Sequence, residues 1–307
     1  MSNIFTLDFI NVVIRLTTPI LFAGLASFAA ATTGIGNIAI EGIMTMSALF
    51  GIIGSHLTQN AFLGVLIGVA MGVLIAMSIA FFSMKLGANA VLVGIAMNTF
   101  SSSLALFILY QFTGEKGSSA KLLAPTIGSL TIPGINKIPV LGRILSDQLI
   151  LVYVAIIMAV LFYILVYKTP LGMRMRACGL NADAAKTAGI NVSRLQVLSL
   201  VFSGIFAALG GIYLSMNYGK IYVNGIVAGQ GWMGIAANGI ASGNYGVLLL
   251  SAIIFAAFRA VSILFNTSSV FPTDLVGTVP YFAVFVFITV ASIVNYYRVK
   301  LGHVEEK

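Results

Sequence analysis

The sequence predicts an all-α, polytopic transmembrane helical bundle of about 8–10 spans, some of them discontinuous, within a single domain covering residues 1–307. Three observations carry this. Hydrophobic residues make up 59% of the 307 and charged residues only 8%, against about 25% in soluble domains. The scarcity of charge extends over the whole length, so no soluble domain is attached to a greasy segment. Apolar runs of roughly 20 residues, enough to cross about 30 Å of hydrocarbon, recur along the chain.

In chain order the runs lie near 17–33, 38–55, 61–84, 88–110, 148–167, 195–216, 246–265 and 275–297. A Gly-rich stretch at 231–243 is apolar but broken, and reads as a short or discontinuous helix. One more span fits around 4–16. The start MSNIFTLDFI has neither a basic region nor a small-residue cleavage site, so the first helix is expected to act as its own insertion signal. Gly64, Gly68 and Gly72 fall on one helix face, and Ser203, Ala207 and Gly211 repeat the pattern elsewhere. Small residues let helices approach closely where no hydrophobic effect drives their packing, so both stripes are expected inside the bundle. Ile38-Ala39-x-x-Gly42-Ile43 echoes Ile235-Ala236-x-x-Gly239-Ile240, each beside a Gly-rich break. Chance and an internal repeat both account for the echo.

The net charge of +8 has a topological meaning. Residues 168–194 hold Lys168, Arg174, Arg176, Lys186 and Arg194 against Asp183, and Arg298 and Lys300 follow the last run. Basic loops stay on the cytoplasmic side, and counting the broken stretch at 231–243 gives both regions the same side. The loop 111–147 then falls outside, although it carries Lys116, Lys121, Lys137 and Arg143 as well as Pro125, Pro133 and Pro139. The basic residues form no stripe with interleaved aromatics, which argues against nucleic acid as a partner. One cysteine, Cys178, excludes an internal disulfide and a multi-cysteine metal site. His56 and His303 are far apart, and no metal site, Ser-His-Asp set, H-E-x-x-H or phosphate-binding G-x-x-x-x-G-K-[ST] is present. The chain is therefore neither an enzyme nor its own motor.

Glu41 stands inside the apolar run GIGNIAIEGIMTMSALF. A carboxylate at membrane depth costs about 2.5–3.5 kcal/mol or more, so it needs a reason. Several roles are open to it: lining a solute path, accepting hydrogen bonds from a broken neighbouring helix, lying near the interface, capping backbone N–H groups freed beside Gly34 and Gly36, or coupling to a proton in a stand-alone secondary transporter. Arg15 and Arg259 are the other ionisable residues in or near the apolar runs. Asn37, Asn98, Asn238 and Ser101–Ser103 either meet a polar solute or tie helices together. The segment KTPLGMRMRACGLNADAAKTAGINVSR, residues 168–194, is too polar to span. Asn181 reads as an N-cap, Asp183 lies in the first turn and Gly189 ends the helix. Its alanine face, flanked by charges, suits docking on a cytoplasmic partner or simple solvation.

The pattern Thr169-Pro170-Leu171-Gly172-Met173-Arg174, then Ala177-x-Gly179-x-Asn181-x-x-Ala184-Ala185-x-x-x-Gly189-Ile190-Asn191, resembles the cytoplasmic loop of ABC importer permeases for ribose-like sugars, branched-chain amino acids and nucleosides. Phe202-Ser203-Gly204-x-x-Ala207-x-x-Gly210-Gly211 resembles the same family. Thr18-Pro19-Ile20-Leu21, Gly34-x-Gly36-Asn37-Ile38-x-Ile40-Glu41-Gly42, Gly231-Trp232 and Pro280-Tyr281 are closer to its nucleoside branch. Cys178 and Leu180 depart from the aliphatic residue and Glu often found there. The resemblance implies a multi-pass permease subunit of the cell membrane that forms the passage for nucleosides or related solutes. Gly172, Arg174, Arg176, Asn181, Ala184, Ala185, Gly189 and Ile190 would couple it to a cytoplasmic ABC ATPase. Asn37, Glu41, Asn98 and Asn238 are candidates for the path. A stand-alone secondary transporter is the alternative to this ATP-driven permease. The resemblance also implies a second permease (a paralogue in the nucleoside branch), an extracytoplasmic binding protein, and no cofactor in this chain, since ATP and magnesium belong to the ATPase.

Overall fold

A computed structural model describes residues 7–130 and 148–267, with helical positions 282, 285, 286, 289 and 293 beyond them. The helices are α1 (Leu7–Ala31), α2 (Ile40–Thr58), α3 (Ala61–Ala80), α4 (Ala90–Thr113), α5 (Ile150–Lys168), α6 (Pro170–Leu180), α7 (Ala182–Thr187), α8 (Val192–Ile212), α9 (Gln230–Ala241) and α10 (Tyr245–Thr267). Helix α3 runs on as a π-helix over Phe81–Lys85, and α8 over Tyr213–Tyr218. Two-residue strands, β1 (Ser129–Leu130) and β2 (Gln148–Leu149), pair antiparallel. Among the described residues seven helices are long and apolar enough to cross a membrane: α1 to α5, α8 and α10. Of the run expected at 275–297 only those five helical positions are described; the basic residues after it, and Lys137, Arg143, Pro133 and Pro139, lie outside the described residues.

Residues 4–16 do not form a span of their own. From Leu7 onward they belong to α1, which absorbs Pro19 without a stop. Proline leaves the carbonyl four residues back without its N–H. The Tyr213 hydroxyl supplies the missing donor, 2.8 Å from the Arg15 carbonyl oxygen, so α8 repairs the ladder of α1. Asparagines begin two spans. Asn60 accepts from the Phe62 and Leu63 amides at the start of α3, and Asn89 from Val91 and Leu92 at the start of α4. Short polar side chains there satisfy amides that a helix cannot satisfy itself.

Helices α1, α2 and α8 form the centre, lined by Phe22, Leu25, Ile43, Met44, Leu49 and Tyr213. The glycine stripe of α3 faces them. A Cβ at Gly64 would lie 2.7 Å from the Gly51 carbonyl, and one at Gly72 2.6 Å from the Ala208 Cβ. On α8, a Cβ at Gly211 would strike the Met44 carbonyl. Both small-residue stripes are internal packing devices, as expected from their spacing.

The helices alternate between two faces. Residues 32–39, the hairpin α6–α7 and residues 242–244 share one face: Gly34 approaches Gly179, and the Tyr167 hydroxyl donates to the Gly243 carbonyl at 3.0 Å. The opposite face holds the loops 114–130 and 219–229. They are joined by the Ser118–Val223 bridge and by the Asn224 amide on the Gly117 carbonyl at 2.9 Å. The buried Asn217 ties this loop face to α5 through the Ile127 and Gly128 carbonyls and the Leu151 amide.

Candidate functional site

Two chain breaks approach each other inside the bundle. One, residues 32–39, rises from the hairpin face to the start of α2; the other, 219–229, descends from the loop face to the start of α9. Helix α9 has 12 residues, about 18 Å, too short to span, as its sequence suggested. The helices α2 and α9 run in opposite directions, so their amino-terminal ends meet. Glu41, in the first turn of α2, closes this junction. Its Oε1 accepts from the Gly229 amide and its Oε2 from the Gly231 amide, each at 2.8 Å. Gly229 is at φ +76° and Ala228 at +47°, a turn that aims both amides at the carboxylate. Amino-terminal helix ends carry partial positive charge, so a carboxylate is the suitable plug for two of them. Gly231 must lack a side chain, because a Cβ would lie 2.6 Å from Glu41 Oε2.

Of the roles open to Glu41, the geometry is that of accepting hydrogen bonds from a broken neighbouring helix: the amides it satisfies are at 229 and 231, not beside Gly34 and Gly36. Arg259, on α10, braces the same turn by donating from Nη1 to the Ala228 carbonyl at 3.1 Å. Arg15 donates from Nε to Gln148 Oε1 at 3.2 Å. No simple sequence pattern links either arginine to its acceptor, since each pair is more than 30 residues apart.

The other path candidates are likewise engaged. Asn98 Oδ1 accepts from the Gly42 amide at 2.7 Å while its Nδ2 donates to the Ile38 carbonyl at 2.8 Å, so α4 caps the start of α2. Asn37 is 3% exposed; its Nδ2 donates to Ser203 Oγ at 2.8 Å and its Oδ1 accepts from the Ala39 amide at 2.9 Å. Asn238 Nδ2 donates to Ser27 Oγ at 3.0 Å. Asn37, Glu41 and Asn98 therefore converge on one junction, and Asn238 is about two turns further along α9. The motif echo breaks down here: Ile38–Ile43 begins a helix, whereas Ile235–Ile240 lies within α9, and Gly239 packs against nothing.

The second helix of the hairpin is built as its sequence predicts: Asn181 Oδ1 accepts from the Asp183 and Ala184 amides. The first, α6, was not anticipated; Thr169 Oγ1 accepts from the Gly172 amide with Pro170 at the first helical position. Gly189, at φ +81°, follows the end of α7. The eight coupling candidates divide. Gly172 and Ala185 are buried within the chain, Ala185 beside Met175, Cys178 and Leu195. Arg176 lies over the Tyr167 ring at 5.0 Å. Arg174, Asn181, Ala184 and Gly189 are exposed, and Ile190 is half-buried. Met173 and Leu180 are also exposed, Leu180 by 88%, large apolar groups with no cover among the described residues. Sequence reasoning set Leu180 aside as a departure from the family and missed this.

Residues 9–292 match the family described as "Branched-chain amino acid transport system / permease component". Three curated relatives are similar over most of their length. The nucleoside ABC transporter permease protein NupC of Lactococcus lactis subsp. cremoris is 29% identical over 80% of this chain and 79% of its own. The guanosine ABC transporter permease protein NupQ of Bacillus subtilis is 30% identical over 71% and 70%. The putative glucose ABC transporter permease protein TsgC13 of Haloferax volcanii is 25% identical over 84% and 78%. Among solved structures, a chain of PsaBC from Streptococcus pneumoniae in complex with Fab has the same fold at a TM-score of 0.53 and 15% identity, covering 92% of this chain and 89% of that one.

Proposed function

This chain belongs to the branched-chain amino acid transport system / permease component family, and on that premise we propose that it conducts nucleosides inward under the drive of a separate ATPase. It is a multi-pass membrane protein of the plasma membrane, a permease subunit and not an enzyme, and it works with an ATPase and a second permease. The observation that carries the nucleoside reading is the similarity to a nucleoside permease and a guanosine permease at 29–30% identity over most of both chains. The glucose relative is more distant, at 25%.

In this reading residues 1–307 are one transmembrane permease domain, the hairpin face is cytoplasmic, and the α6–α7 hairpin docks on the ATPase. Its exposed Met173, Leu180 and Ala184 support that role: an apolar helical knob rimmed by Arg174 and Lys186 suits a groove on a partner. ATP and magnesium bind to that partner, a binding protein delivers solute to the loop face, and the second permease is a paralogue. Glu41 and the three asparagines then hold the passage walls in place and do not themselves carry solute. Uptake of labelled guanosine into vesicles containing the complete transporter tests this. ATP dependence and competition by unlabelled nucleosides are expected; competition by glucose or leucine but not by nucleosides overturns the solute assignment.

A further inference from the structure

Helix α4 presents an anomaly of composition against exposure. In its membrane-crossing window only 22% of residues are buried by this chain, the smallest share of the seven spans, against 33% in α3 and in α5. A helix that shows most of itself to lipid should be the most apolar. Instead α4 is less hydrophobic than α3 and α5. The large exposed groups of α5 are Ile156, Ile157, Val160, Leu161, Tyr163 and Ile164. Helix α4 likewise exposes Leu92, Ile95, Phe100 and Phe107, but Thr99, Ser102 and Ser103 are exposed among them, about halfway along the helix. Hydrocarbon offers hydroxyl groups no hydrogen-bond partner.

These hydroxyls have a distinct chemistry. Thr99 Oγ1 donates to the Ile95 carbonyl at 3.3 Å and Ser102 Oγ to the Asn98 carbonyl at 3.0 Å. With their protons committed to the helix backbone, their lone pairs remain as acceptors directed away from it. At the loop-face end of α4 lies an open recess of about 650 Å³ lined by Leu106, Phe107, Tyr110, Gln111 and Lys116. Ser103, Phe107 and Tyr110 follow one another at helical spacing, so the recess leads onto the hydroxyl band. No charged side chain occurs between Ala90 and Thr113.

We propose that this face of α4 lines the solute route: the recess admits the solute between Phe107, Tyr110 and Gln111, and Thr99, Ser102 and Ser103 accept its hydrogen bonds on the way through. The inference rests on the reading of the chain as a nucleoside-conducting permease and adds the wall of the route. Aromatic rings suit a planar ring, and hydroxyl acceptors suit a solute rich in O–H and N–H donors; Lys116 stands at the mouth of the recess, its ammonium 5.8 Å from the Tyr110 ring. A nucleoside meets both conditions.

Cysteine accessibility in the complete transporter tests the proposal. Cys178 is buried and is replaced by Ala for a clean background. Thr99→Cys and Ser103→Cys are compared with Ile157→Cys, on the exposed face of α5, using a charged, membrane-impermeant methanethiosulfonate on variants that reach the membrane in normal amounts. Labelling at 99 and 103 at least tenfold faster than at 157, and slowed several-fold by saturating guanosine, is the expected result. Labelling as slow as at 157 overturns the proposal, whether those positions then face lipid or cross-link to the second permease in a dry seam. If ATP-driven guanosine uptake persists while 99 and 103 stay unreactive, this inference alone fails. If both positions label fast and glucose protects them in place of guanosine, the route stands and the nucleoside assignment fails.

Discussion

Around Glu41, the carboxylate and the amides of Asn37 and Asn98 all point into the chain and end on backbone atoms or a serine hydroxyl. On the α6–α7 hairpin the arrangement is reversed: the caps are satisfied locally, and Met173, Leu180 and Ala184 have no cover among the described residues. The polar residues around Glu41 are occupied in repairing helix breaks. The apolar residues of the hairpin are left for another molecule, the ATPase in the proposed reading. A residue out of keeping with its surroundings thus reads in opposite ways in the two regions: internal repair in one, a proposed external partner in the other.

The contrast is most severely tested by Glu41→Leu. It strands two amides at a closed junction, each worth about 1–3 kcal/mol when unsatisfied. Uptake is expected to fall below a tenth and the melting temperature in detergent to drop by several degrees, whereas Glu41→Gln, which keeps an acceptor, retains part of both. Equal behaviour of the two variants removes the capping role. Next in size is the pair of adjacent alanines. Ala185→Asp buries a charge beside Met175, Cys178 and Leu195 and should reduce the amount of folded protein. Ala184→Asp should leave folding and melting unchanged, yet lower ATP-driven uptake at least fivefold and weaken co-purification with the ATPase. Similar phenotypes for both would erase the distinction between the regions. Asn98→Ala removes the cap on Gly42 and the donor to Ile38, an expected loss of about 1–3 kcal/mol in stability, measured by thermal unfolding. The smallest effect is expected from Asn238→Ala, which loses one 3.0 Å contact with Ser27, about 1 kcal/mol by the same measurement.

Much of this was legible in the sequence. Apolar runs of the right length gave the spans, the Gly64–Gly72 stripe its packed face, and Asn181 its cap, because each depends on residues close together in the chain. Glu41 was recognisable as a residue needing a reason. What it caps was not, since Gly229 and Gly231 lie 188 and 190 residues away and backbone amides leave no trace in composition. The same distance hid the Tyr213 hydroxyl that repairs the ladder at Pro19. The merging of residues 7–16 into α1 was missed because Arg15 interrupts the apolar run, and the side chain that accepts its hydrogen bond, Gln148, is 133 residues away. Ala184 and Ala185 look alike in sequence; only the path of α7 over Leu195 turns one in and the other out.

The head-to-head meeting of α2 and α9 has a mechanical consequence. Two rods fastened at their near ends by one carboxylate, and held there by Arg259 and Asn98, behave as a single jointed strut reaching from the loop face to Ser242 beside the hairpin. A displacement imposed at the hairpin would reach the far surface along that strut with no helix sliding past its neighbours, and Glu41 is the pin of the joint.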